Sequence, residues 1–328
     1  MGLLWTWFLT CNTALLIKGK KLAFLALLLI SSFLNTVAQD SSSEKKSSVN
    51  KPKLIVVSTA HAAFWVGTYV ALDKAWYRDY PKTDFHFFND NSEWNQMDKL
   101  GHMWTSYNLS RVSYRTWKWA GLNEKTSIWM GGMSALAYQS IIEIQDAYSE
   151  EWGFSWGDMV ANGIGVGSFI AQELGWKEQR IAFKLSYHPG DYPEDLKGRV
   201  DQLYGASWSE KILKDYNSQT HWLSFNIHSF FKDSKIPKWL NVAIGYGAEG
   251  MYGGFENKWE DENGVEITRH DIPRIRQFYL AADIDLTKIK TNSKFLRSVF
   301  YLFNMVKVPA PTLMMDSQGK FKAYFLYF

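Results

Sequence analysis

Three stretches of this chain repeat polar residues at four-residue steps inside otherwise apolar sequence, and that spacing is the strongest constraint on its fold. Residues four apart share one face of an α-helix. Asp98 and His102 form one such pair, with Lys99 set to the side. Gln139, Glu143 and Asp146 run at i, i+4, i+7 through AYQSIIEIQDAY, and Asp158 and Asn162 repeat the step. Buried ionisable and amide groups persist only when paired, hydrogen-bonded or metal-bound. Three helices of this kind are therefore expected to turn their polar stripes toward one another.

The helical patterns that carry the stripes run over about Asn95–Trp119, Glu124–Tyr148 and Ser155–Glu173. Asn123 and Ser155 stand where N-caps are needed, and Asp158 falls at the third helical position after Ser155. An earlier apolar stretch, Leu54–Trp76, is interrupted by Ser58, Thr59, His61 and Thr68. Its length suits either a bilayer span or a buried helix of a soluble bundle. Gly163, Gly165 and Gly167 in NGIGVGSFIA have G-x-G-x-G spacing with no following Lys-Ser/Thr, which argues against a phosphate loop. Close helix packing through Ala161, Gly165 and Gly167 is the expected use.

Lys18-Gly19-Lys20-Lys21 precedes an apolar run from Leu22 to Leu34, and Thr36-Val37-Ala38 supplies small residues for cleavage. This predicts a signal peptide over 1–38. Residues 39–53, QDSSSEKKSSVNKPK, carry one apolar residue and read as a flexible linker, with the folded part starting near Leu54. The 36 basic residues exceed the 33 acidic ones by three, and Lys18, Lys20 and Lys21 account for the excess. A neutral mature chain offers no basis for nucleic-acid binding. The sole cysteine, Cys11, precedes the expected cut, which removes disulfides and thiol chemistry from the mature chain. Phe8-Leu9-Thr10-Cys11 lacks the small residues of a lipoprotein cleavage box, so no lipid anchor is expected.

After the turn sequence Tyr187–Pro193 and a short helix near Ser209–Tyr216, the apolar period changes to two. Leu223, Phe225 and Ile227, then Val242, Ile244, Tyr246 and Ala248, then Phe278, Leu280, Ala282, Ile284 and Leu286 read as strands with one apolar face. An aromatic strand closes the chain at Phe321–Phe328, for four or five strands in all, fewer than a bacterial outer-membrane barrel needs. Lys294–Lys307 is a helical pattern whose apolar face is expected to lie on the sheet, with a membrane surface as the other option. The predicted fold class is α+β: an N-terminal bundle of about four helices over 54–185, followed by a small antiparallel β-sheet region over 186–328.

The candidate polar core site comprises Asp98, Lys99, His102, Gln139, Glu143, Asp146, Asp158 and Asn162. It reads as a satisfied network that sets helix register, or as acid/base groups or oxygen-rich ligands facing a small molecule. No HExxH, paired ExxH or calcium loop is present, so no cofactor or metal is predicted. A divalent metal on His102, Glu143, Asp146 and Asp158 is the lesser alternative.

The motifs Asp98-Lys99-Leu100-Gly101-His102, Glu143-Ile144-Gln145-Asp146 and Gly153-Phe154-Ser155-Trp156-Gly157-Asp158-Met159-Val160-Ala161-Asn162-Gly163 resemble the YfiM-like family of predicted periplasmic lipoproteins. Their order is also similar to that of the VanZ-like family, whose motifs sit on membrane helices. The resemblance covers Leu54 to Leu174 and implies a shared helical core with Asp98, Lys99, His102, Glu143, Asp158 and Asn162 at the family's positions. It implies no reaction. The expectation is an exported cell-envelope protein at the periplasm or the periplasmic face of the outer membrane, membrane-associated and non-enzymatic. Its expected partners are a membrane surface or other envelope proteins. The alternatives are a hydrolase or transferase acting on an envelope lipid or glycan through His102 and the carboxylates, and a VanZ-like membrane-embedded protein, which would place it in the inner membrane.

Overall fold

Asn50 accepts a hydrogen bond from the Lys53 amide and Pro52 occupies the first turn, so the first helix, α1 (Lys51–Leu72), starts inside the segment expected to be linker. The computed structural model describes residues 49–73, 77–78, 80–261 and 263–327. The expected signal peptide, Cys11 and the linker up to residue 48 lie outside them. Three further long helices follow: α2 (Met97–Trp119), α3 (Glu124–Asp146) and α4 (Trp156–Trp176). The caps of α3 and α4 are those read from sequence: Asn123 accepts from the Thr126 amide at 2.8 Å and Ser155 from the Asp158 amide at 3.1 Å.

Helices α2, α3 and α4 pack on one another around Tyr107, Ile128, Ala135, Val166, Phe169 and Ile170. Gly165 makes the α2–α4 contact possible, because a Cβ there would meet the Ser106 hydroxyl at 2.1 Å and the Met103 carbonyl at 2.4 Å. Gly167, expected to serve the same purpose, faces open space, as does Gly163. Helix α1 stands apart from this core. It buries Val57 against Trp117, Ala120 and Met130 and stacks His61 on Trp117, while Ile55, Val56, Phe64 and Val66 stay exposed. It is thus not the buried bundle helix that its sequence allowed, and among the described residues it is the one helix long and apolar enough to cross a membrane.

The sheet begins earlier than expected, at β1 (Ile181–Tyr187), where Leu185 had been assigned to the helical region. Two short helices, α5 (Lys197–Tyr204) and α6 (Trp208–Lys214), lead to β2 (Gln219–Asn226) and β3 (Leu240–Glu249). A small hairpin of β4 (Lys258–Glu260) and β5 (Glu266–Thr268) intervenes before β6 (Ile275–Ile284). Helix α7 (Lys294–Phe303), β7 (Ala310–Asp316) and β8 (Phe321–Tyr327) complete the chain. The main sheet is an antiparallel meander of six strands in the order β1-β2-β3-β6-β7-β8, so the described residues form eight strands where four or five were expected. Four were missed for physical reasons. β4 and β5 are three residues each, too short to show a period, β1 runs straight on from the apolar pattern of α4 after four residues, and β7 carries Pro311 two residues after Pro309, which reads as a break.

The polarity of this sheet is inverted. The face that is buried carries Lys184, Trp222, Ser224, Asn241, Ala243, Tyr279, Asp283 and Thr312, while the apolar alternation seen in sequence points outward. Val242, Ile244, Phe278, Leu280, Leu313 and Met315 are between 40% and 53% exposed. The sheet curls enough that Tyr327 on β8 reaches the Thr220 hydroxyl of β2 at 3.2 Å, and the segment before β7 bridges to β1 through Leu185 and Val306. Gly245 permits the curl, since a Cβ there would lie 2.6 Å from the Trp222 ring. Helix α7 does not lay its apolar face on the sheet, as had been expected. It holds Tyr301 between Arg111 and Arg115 and leaves Phe295 75% and Phe303 60% exposed, because its polar contacts with α2 settle which side faces the protein.

Candidate functional site

The stripes on α2, α3 and α4 meet at one end of the bundle. Lys99 enters between three carboxylates, with Nζ 2.7 Å from Asp90, 3.1 Å from Asp98 and 2.8 Å from Asp158. Gly157 makes room for it: a Cβ there would lie 3.0 Å from Cε of Lys99 and 2.2 Å from Asn91. The His102 ring bridges the helices. Its Nε2 edge faces Asp98 Oδ1 at 3.7 Å and Asp158 Oδ1 at 3.8 Å, while Nδ1 lies 3.2 Å from Asn162 Oδ1 and 3.6 Å from Glu143 Oε1. Gln139 donates to Asn162 Oδ1 at 2.9 Å. Seven of the eight residues picked from sequence thus form one cluster. Asp146 makes its hydrogen bond outside the cluster, accepting from the Tyr77 hydroxyl at 2.6 Å.

Charge is unbalanced here. Burial, reinforced by Asp146 and Asp98, pushes the Glu143 carboxyl up to about 9, and burial pushes Asp146 up to about 7. Burial and the charge of Asp98 raise Asp158 as well. Burial acts in the same sense on Asp98, but His102, Lys99 and the Tyr216 hydroxyl outweigh it and hold Asp98 low. The carboxylates in turn hold the Lys99 ammonium high against the opposing effect of burial. Glu143 is fully buried and its Oε1 finds no hydrogen-bond partner among the described residues; the same is true of Gln139 Oε1 and Asn162 Nδ2. Such groups normally cost about 1–3 kcal/mol each.

Sequence periodicity missed several members of the site. Asp90 lies in a loop and also accepts from the Ser155 hydroxyl at 2.6 Å. Tyr216, just past α6, donates to Asp98 at 2.9 Å. Neither belongs to a helical stripe, so no spacing rule reaches them. The turn that aims α2 is strained: Trp94, Asn95 and Gln96 all have positive φ, at 48°, 50° and 65°. Left-handed non-glycine residues cost about 1–2 kcal/mol each, so a run of three needs outside support. The sheet supplies it. Tyr246 donates to the Asn95 carbonyl at 2.7 Å and Arg276 to Gln96 at 2.8 Å.

His221, on the face of β2 opposite Trp222, is 6% exposed, and neither ring nitrogen has a hydrogen-bond partner among the described residues. Burial drives it down to about 3 against the pull of Asp98. Unfolded, it would titrate near 6.5. The unfolded chain therefore binds the extra proton between these values, and stability present above pH 6.5 is lost toward pH 3 at up to about 1.4 kcal/mol per unit. His221→Leu is expected to flatten this acid limb in pH-dependent urea unfolding. An unchanged limb in that variant would place the acid sensitivity elsewhere.

Residues 84–171 match the model of a family described as Predicted periplasmic lipoprotein (DUF2279). The matched segment contains every residue of the cluster contributed by α2, α3 and α4, and the description agrees with an exported, periplasmic location. No curated protein and no solved structure matches the chain.

Proposed function

We propose that this is a membrane-associated, non-enzymatic component of the bacterial cell envelope, seated on lipid through the outer wall of its sheet. The inverted polarity of the sheet carries this reading. A soluble sheet covers its apolar faces, whereas here charged and amide groups share the interior with Trp222, Ala243, Tyr279, Ala281 and Met314, and Val242, Ile244, Phe278, Leu280, Leu313, Met315 and Phe325 stay exposed along β3, β6, β7 and β8. Apolar-out, polar-in alternation is the pattern lipid selects. The β2–β3 and β6–β7 connections emerge at the same end of the meander; the first carries Lys232, Lys235 and Lys238, and the second carries Lys288 and Lys290 just ahead of α7 and Lys294 at its start, with Lys232 and Lys288 facing Glu178. Lysines flanking an amphipathic helix favour an anionic interface by about 1 kcal/mol each.

The full chain in vesicles containing phosphatidylglycerol and a photoactivatable acyl chain tests this. Labels are expected on Leu280, Leu313, Met315 and Phe325, and their loss is expected in a Leu280→Asp, Leu313→Asp double variant. Labelling confined to residues 1–72 would show that the sheet wall does not meet lipid.

The second reading is a hydrolase or transferase of an envelope lipid or glycan. What favours it is that Asp98 and His102, 23% and 15% exposed at their side chains, open an otherwise buried cluster whose Glu143 retains a transferable proton near neutrality. Turnover of such a substrate by the native chain, absent in a folded His102→Ala variant, separates it from the first.

A further inference from the structure

The geometry points to a divalent metal site on Asp98 Oδ1, His102 Nε2 and Asp158 Oδ1, for an ion of the zinc class. These three atoms come from two helices and lie within 4.8 Å of one another, with the imidazole nitrogen 3.7 and 3.8 Å from the two oxygens. Those separations are too long for hydrogen bonds. Bonds of about 2.0–2.1 Å to one tetrahedral ion would set them near 3.3 Å, a closure of roughly half an ångström.

The observation that turns a cluster into a site is on the far side of the ring. His102 Nδ1 lies 3.2 Å from Asn162 Oδ1, to which a protonated Nδ1 donates, and 3.3 Å from the Gln139 amide nitrogen, with the fully buried Glu143 Oε1 3.6 Å away and lacking any other hydrogen-bond partner among the described residues. In the neutral tautomer with its proton on Nδ1, the ring presents the Nε2 lone pair to the two carboxylates, and a cation bound between them would use that lone pair. A hydrogen-bond acceptor behind the distal nitrogen of a metal-facing histidine, here the Asn162 amide oxygen, is also the usual support for a ligating imidazole. The Tyr216 hydroxyl, 2.9 Å from Asp98 Oδ1, orients the second ligand in the same manner.

Lys99 has a definite place in this arrangement. Its ammonium sits 2.8 Å from Asp158 Oδ1, the same oxygen the metal would take, and so acts as a tethered competitor that an entering ion must displace toward Asp90. The inference stands apart from membrane association, since the site lies at the helix junction and not on the sheet wall.

Chelator-treated full chain titrated with Zn²⁺ alone, followed by calorimetry, is expected to bind one equivalent. His102→Gln should weaken binding at least 30-fold, and Glu143→Gln, which touches no metal, about 10-fold. Lys99→Gln should tighten it. Since a variant can fail to fold, the native chain gives a second reading: on adding Zn²⁺ the ¹⁵N resonance of His102 Nε2 should move far more than that of Nδ1. Absence of binding, equal affinity in folded His102→Gln, or a His102 ring indifferent to Zn²⁺ while ions bind elsewhere would each overturn the proposal.

Discussion

Replacing Asp283 by alanine is expected to lower the unfolding free energy by roughly 3–5 kcal/mol, the cost of removing one partner from a buried ion pair. The Asp283 carboxylate lies 2.7 Å from Nζ of Lys184 inside the curled sheet, and both side chains are fully buried. The same carboxylate accepts from the Ser224 hydroxyl at 2.6 Å and from the Val308 amide at 3.1 Å. Its loss leaves Lys184 with the Ile284 carbonyl and strands two donors. Burial already lowers the Lys184 pKa against the attraction of Asp283, so in the variant the lysine sheds its proton and the loss stays finite. Urea unfolding should show the midpoint falling with the slope unchanged. A Lys184→Met, Asp283→Leu double variant should recover most of the loss, because an apolar pair of similar volume needs no charge compensation. A single-variant loss under about 1 kcal/mol would mean that the sheet interior is wetter than its burial implies.

Lys99→Met is expected to be comparably damaging, by about 3–5 kcal/mol in chelator at pH 8, since it removes the ammonium shared by Asp90, Asp98 and Asp158. The loss should shrink toward pH 5. Lys99 is among the groups that hold the Asp98 carboxyl low against burial, so without it that carboxyl rises and the native variant takes up a proton there as the pH falls. Equal losses at the two pH values would show that Lys99 contributes packing of its stem and little charge compensation. This behaviour also separates the cluster from an ordinary exposed ion pair such as Lys118 with Glu124, which carries about 0–1 kcal/mol.

Part of this architecture is legible without coordinates because it is local. Four-residue steps place Asp98 with His102, Glu143 with Gln139, and Asp158 with Asn162 on shared helix faces whatever the helices pack against. Asn123 and Ser155 cap where their short oxygen-bearing side chains stand ahead of apolar helical sequence. Asp90, Tyr216 and His221 could not be found in this way. Asp90 and Tyr216 reach the site from a loop and a helix end, His221 is buried on a strand, and no periodicity links positions so far apart along the chain.

The period of two along Val242–Ala248 and Phe278–Leu286 likewise shows that these strands have an apolar side, and it says nothing about which side is covered. Burial of Lys184 and Asp283 against each other, with Trp222 fitted over Gly245, makes the polar side the interior. The apolar side is then left facing outward.

The amino-acid sequence by itself determined the α+β division, the long helices, their caps and the three polar faces, because each depends on contacts within a few residues. Only the tertiary structure decided that those faces close around Lys99 and His102 and that the sheet turns its apolar side out. Both outcomes rest on pairings between distant segments, where the cost of stranding a buried charge, summed over the whole fold, overrides what any single helix or strand would prefer.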